Sequence, residues 1–192
     1  MKKKIFSLAF IMCLFAVTVG STAAYFTASE TATNVITTKN VNIDILETTV
    51  VTDKNGVTEE VPFGSVSFDQ VMPTAVVSKI VRVQMPKDSA EAWVRVKIDK
   101  IVTLVDDTAG NEDYMLIDVK DDWIQGGDGW FYYTEPLNAD ELTDPIFEEV
   151  HFSYEMGNSH QNATAKIIIT AQAVQTANNG SSVLEAAGWP EE

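Results

Sequence analysis

Four stretches of this chain alternate apolar and polar residues with a period of two, and a fifth is aromatic. In "VNIDIL" (41–46), Val41, Ile43 and Ile45 share a face. In "KIVRVQM" (79–85), Val81, Val83 and Met85 do so. "EAWVRVKIDKIVTLV" (91–105) sets Val94, Val96 and Ile98 against Trp93, Arg95 and Lys97. "GWFYYT" (129–134) is aromatic. "ATAKIIITAQAVQT" (163–176) sets Ile167, Ile169, Ala171 and Ala173 against Lys166, Thr170 and Gln172, with Ile168 as the exception. Successive side chains of a strand point to opposite faces, so this pattern specifies antiparallel strands with one dry and one wet face. Helical periodicity is scarce.

The segments between have turn chemistry. "DKNG" (53–56) carries Asn-Gly, which supplies the positive φ of a tight hairpin. "DDTAGNED" (106–113) reads as a polar loop, and "QGGDG" (125–129) turns sharply on its glycines. Prolines in "MPTA" (72–75) and "MPKD" (85–88) suit strand ends, where a missing N–H does little harm. The expectation is an all-β fold: about eight strands in a jelly-roll-like antiparallel β-sandwich. Short helical insertions are expected at 138–149 and 181–189.

The N-terminus is built differently. Lys2, Lys3 and Lys4 precede an uncharged apolar run from Ile5 to Val19, followed by Gly20 and the small residues Ser21, Thr22, Ala23 and Ala24. A basic start, an apolar run too short for a ~20-residue membrane span, and small residues at its end describe a secretory signal peptide cut after Ala23 or Ala24. The expected division is a signal peptide at 1–24, an arm at 25–40 and one sandwich domain at 41–192. The single cysteine, Cys13, would leave with the leader, so the mature chain would have neither disulfide nor Cys-based metal or nucleophile site. Losing three lysines takes the formal charge from −15 to −18. So acidic a surface repels nucleic acid and anionic membranes, which leaves the uncleaved leader as the only membrane attachment.

Catalytic signatures are missing. His151 and His160 are nine apart, without the H-E-x-x-H spacing of a zinc protease, and read as surface or edge residues. No G-x-S-x-G and no phosphate-cradling glycine loop occurs. Asp121–Asp122 and Glu148–Glu149 are adjacent, so in strands their members face opposite sides. The expectation is no enzyme and no cofactor. One weak calcium candidate is the loop with Asp106, Asp107, Asn111 and Asp113, which has hard oxygen donors without the EF-hand spacing. The aromatics Trp123, Trp130, Phe131, Tyr132 and Tyr133 read as core, with a carbohydrate or partner platform as the alternative. Asn162 and Asn179 head formal glycosylation sequons.

The start of the mature chain, "AYFTASETATNVITTKNVNIDI", resembles Gram-positive secreted proteins cut by a SipW-type signal peptidase, through Ala24, Tyr25, Phe26 and Thr27 and the Thr-rich stretch after them. "AWVRVKI" (92–98), "DGWFYYTEPLNADELTDPIFEEV" (128–150), "IIITAQAVQTAN" (167–178) and "AAGW" (186–189) look like the BsaA-type branch of the TasA and camelysin group. The resemblance spans nearly the whole chain. It implies a jelly-roll subunit of extracellular biofilm-matrix fibres, with other copies of itself as head-to-tail partners and a minor co-assembling matrix subunit as a second partner. Some of that group are labelled metallopeptidases, but this sequence has no zinc-ligand motif to carry that activity. The closing "AAGWPEE" has no hydrophobic tail, which sets the chain apart from sortase-anchored pilins.

Three roles are open for the arm. Residues 24–38 would add a strand to a neighbouring copy, anchored by Tyr25, Phe26, Val35 and Ile36, or residues 24–40 would be a disordered leader or the first strand of their own molecule. Each buried anchor would contribute ~1.5–3 kcal/mol. Alternatives for the whole protein are a camelysin-like secreted metalloprotease and a monomeric adhesin or carbohydrate-binding module.

Overall fold

The computed structural model describes residues 27–31, 34–36, 41–65, 73–157, 160 and 163–191. It is an antiparallel two-sheet sandwich. The described residues form eleven strands: β1 (Thr27–Thr31), β2 (Asn34–Ile36), β3 (Asp44–Thr52), β4 (Thr58–Pro62), β5 (Val76–Gln84), β6 (Ala92–Thr103), β7 (Met115–Ile117), β8 (Trp123–Gln125), β9 (Phe131–Tyr133), β10 (Phe147–Phe152) and β11 (Thr164–Gln175). One sheet runs β2-β1-β11-β6-β9-β8 and the other β4-β3-β5-β10-β7. These orders describe a sandwich without identifying it as a jelly roll.

The core between the sheets uses the expected faces. Val81, Val83 and Met85 from the β5 stretch, Val94 and Val96 from β6, and Ile169, Ala171 and Ala173 from β11 are all fully buried. Phe147, Val150 and Phe152 of β10 close the same cluster. Val41 and Ile43 reach it too, although β3 starts only at Asp44. The β3–β4 hairpin turns at Gly56, with φ of 80°. The Asp53 carboxylate accepts the Asn55 and Val57 N–H groups at 2.8 Å each, which closes the turn.

Both expected helical pieces are absent. The stretch 140–146 instead runs alongside β5: Thr143 N–H donates to the Val83 carbonyl and Ile146 N–H to that of Val81, each at 2.9 Å. Pro136 precedes the stretch and Pro145 lies within it, and its main chain is spent on neighbours rather than on itself. At 181–189 the chain forms turns. Short 3-10 turns lie elsewhere among the described residues, at Phe63–Ser65 and Glu112–Tyr114.

The expected wet face is also corrected. On the six-stranded sheet, Trp93, Arg95 and Gln172 lie opposite the core face, yet all are buried. A second apolar cluster of Trp93, Trp130, Tyr132, Val174 and Val183 covers that side, with Ala186 and Trp189 packed against it. The C-terminal segment, returning after β11, is the roof.

Candidate functional site

Strand β11 is the hinge of the arrangement. Along its whole length one edge is paired to β6, from Thr164↔Thr103 to Gln175↔Ala92. On the other edge, β1 pairs antiparallel only with its second half, from Thr27↔Val174 to Thr31↔Thr170. β2 then folds back on β1, placing Val35 opposite Glu30 and Ile36 opposite Ser29. The arm, expected as one strand, is therefore an outer hairpin of its own chain's sheet. Ala23, Ala24, Tyr25 and Phe26 lie outside the described residues.

The docking half of β11 is dry on both sides. Ala171 and Ala173 point into the core. Gln172 and Val174 point outward, beneath the C-terminal segment, and are also buried. Gln172 Oε1 accepts two bonds from Arg95, from Nε at 2.9 Å and Nη2 at 2.7 Å. The Arg95 guanidinium lies between two indoles, 4.2 Å from the Trp130 ring centre and 4.6 Å from that of Trp189. Arg95 Nη1 donates to the Tyr132 hydroxyl at 3.2 Å and approaches Asp128 at 3.5 Å. A charge so buried is tolerated because the guanidinium is planar, stacked on aromatic rings and hydrogen-bonded through each of its three nitrogens.

Asp128 completes this network. Burial pushes its carboxyl up, but the Tyr132 O–H at 2.6 Å, the Trp130 N–H and the Arg95 charge outweigh it and hold the group below the usual aspartate value. Burial, joined by the Asp128 carboxylate, pushes the Tyr132 phenol up.

The roof is a tight loop. Asn179 grips Ala187 from both sides, accepting its N–H at 2.9 Å and donating to its carbonyl at 3.0 Å. A Cβ at Gly180 would meet the Glu185 carbonyl carbon at 2.6 Å, so only glycine lets the loop close. The Asn179 amide is thus committed to the loop, and Asn162 of the other sequon lies outside the described residues.

The first half of β11 is different. No described strand pairs with its free edge between Thr164 and Ile169. There it borders a cavity of about 580 Å³ between the sheets. The walls include Val77, Phe152 and Met156, with Lys79 buried 2.7 Å from Glu47 and 4.1 Å from the Phe63 ring centre.

The remaining candidates are dispersed. His151 is exposed on β10, 3.1 Å from Glu149. His160, expected at the surface or a sheet edge, is buried at the cavity. It packs edge-on against Tyr114 and accepts the Asn111 N–H at 3.4 Å. In the calcium candidate, Asp106 accepts from Thr108 within its own turn, Asp107 sits at φ 62°, and the Asn111 side chain caps the 3-10 turn through the Asp113 N–H. Among the described residues, no three His, Cys, Asp or Glu side chains are grouped to hold a metal ion, and no helix is long and apolar enough to cross a membrane. The aromatics divide by face: Trp123 and Tyr133 are buried in the main core and Phe131 packs against it, while Trp130 and Tyr132 lie under the C-terminal roof.

Sequence reasoning missed Arg95, Gln172, Asp128 and Trp189. The available signal was small: a Trp and an Arg on the polar phase of β6, and a Trp close to the chain's end. Comparison of the chain with family models, with curated proteins and with solved structures found no match in any of the three.

Proposed function

We propose that this protein is a secreted structural subunit of extracellular fibres, and that the β1–β2 hairpin is exchanged between copies. The observation that carries this reading is the position of the hairpin. It lies at one edge of its sheet, and the strand pairing that joins it to the body is a five-residue ladder between β1 and β11. Each ladder bond contributes a net ~0.5–1.5 kcal/mol, so the ladder itself contributes a few kcal/mol to holding the hairpin. A hairpin from another copy makes the same bonds on the same edge, and the contact repeated head to tail does not close on itself. Exchange then depends on concentration, since the bonds lost and gained are alike and association is what must be offset.

The resemblance of the N-terminal and strand motifs to the TasA and camelysin group supports the same reading, including a biofilm matrix as the setting. A leader still attached at Ala24 would tether the hairpin's free end, so cleavage would act as the assembly switch.

The test compares mature protein with and without residues 24–38 by electron microscopy over a concentration series. Fibres from the full mature chain, and none from the shortened one, are expected. Normal polymerisation of the shortened form, or a full mature chain that stays monomeric at every concentration, overturns the proposal.

A further inference from the structure

Six strands contribute one residue each to a single lateral row: Ile36, Ser29, Gln172, Arg95, Tyr132 and Ile124, each paired to the next. The centre of β1, Ser29, is therefore one strand from Gln172 and two from Arg95. Trp189 of the C-terminal segment covers Arg95 at this same row. The arm meets β11 through main-chain groups of residues 170–174, and of the outward side chains of that segment, Gln172 is held by the Arg95 fork and Val174 by the cluster with Val183.

We infer that the C-terminal segment 179–190 is a strap that positions the docking edge of β11 for the arm, with Trp189 and Arg95 as its positioning residues. Strand addition requires an edge whose N–H and C=O groups are already aligned, and an edge still free to move loses entropy when the incoming strand orders it. β11 has two routes to alignment. Its pairing with β6 runs the full length and serves both halves equally. The clamp from Trp189 through Arg95 to Gln172 acts only on the half that binds the arm. Asn179 holds the strap's loop closed, so Trp189 stays over the guanidinium.

The geometry does not depend on the exchange reading. Its consequence for assembly does, because a hairpin from a neighbour would meet the same prepared edge.

Hydrogen exchange on the mature full-length chain tests the inference with Trp189→Ala, the ring-preserving Trp189→Phe, and Arg95→Lys. In Trp189→Ala and Arg95→Lys, amides of 27–31 and 170–174 should exchange about tenfold faster, while those of β5 stay within about twofold of the parent. Trp189→Phe should restore most of the protection. Unchanged exchange at 27–31, or an equal rise over both sheets, overturns the inference, the second by showing that the strap adds only general stability. In parallel, Trp189→Ala should raise the protein concentration needed for fibres by about tenfold. A parent chain that forms no fibres removes the proposed function, and the exchange measurement still decides whether the strap positions the arm.

Discussion

The two halves of β11 belong to one twelve-residue strand with one continuous partner, β6, yet they are opposite surfaces. From Ala171 to Val174 every residue is buried, the core is on one side and the strap on the other, and β1 occupies the free edge. From Thr164 to Lys166 every residue is exposed, and the inward face borders a cavity instead of packed side chains. Pairing alone therefore does not decide whether a strand is rigid or receptive. What covers its two faces does.

Matched substitutions on the two halves break or sharpen this contrast. Ala173 and Ala165 share the inward face. Ala173→Asp places a carboxylate in the packed core and should cost more than about 4 kcal/mol, which in a marginal domain prevents folding. Ala165→Asp, at the cavity, should stay within about 0.5 kcal/mol. Denaturant midpoints give both values, and equal costs would erase the distinction between the halves.

A second pair probes the outward face. Arg95→Met leaves the Gln172 oxygen without its two donors and should destabilise by about 2 kcal/mol. Lys166→Met, exposed on the same face, should shift the midpoint very little. If Arg95→Met is neutral, the guanidinium is a passenger and packing alone holds the strap.

The smallest effect is on acidification. The carboxyl of Asp128 titrates below its unfolded value, so its contribution is fully present above about pH 4 and is lost as pH falls through the lowered folded value. Tryptophan emission from Trp130 and Trp189 should hold steady from pH 7 to about 4 and change below that. Asp128→Asn should abolish this acid step. A change centred near neutrality would place its origin elsewhere.

Much of the main core could be read from period alone. Val81, Val83, Met85, Val94, Val96, Ile169, Ala171 and Ala173 are where alternation puts them, because a strand side chain has only two directions to choose from. Alternation says which residues share a face, but not what lies over it. Trp93, Arg95 and Gln172 fell on the polar phase and so read as solvent-facing. Their burial depends on a segment that starts after β11, reads locally as a short helix and folds instead as turns. The same limit hid the contact of 140–146 with β5, since a chain that gives its N–H groups to a neighbour leaves no periodic trace. His160 read as a surface residue because nothing local showed that Tyr114 and Asn111 would enclose it.

Local chemistry, then, determined the sandwich: alternation, the Asn-Gly turn at 55–56 and prolines at strand ends act through neighbours in the chain, and a linear text records neighbours. Tertiary structure alone decided that the Thr-rich arm would become a hairpin on one half of β11, and that a C-terminal segment of turns would dry the outside of that half. Both outcomes arise from contacts between residues far apart in sequence, such as Ser29 with Gln172 and Arg95 with Trp189, and their energies have no counterpart in the order of the residues between them.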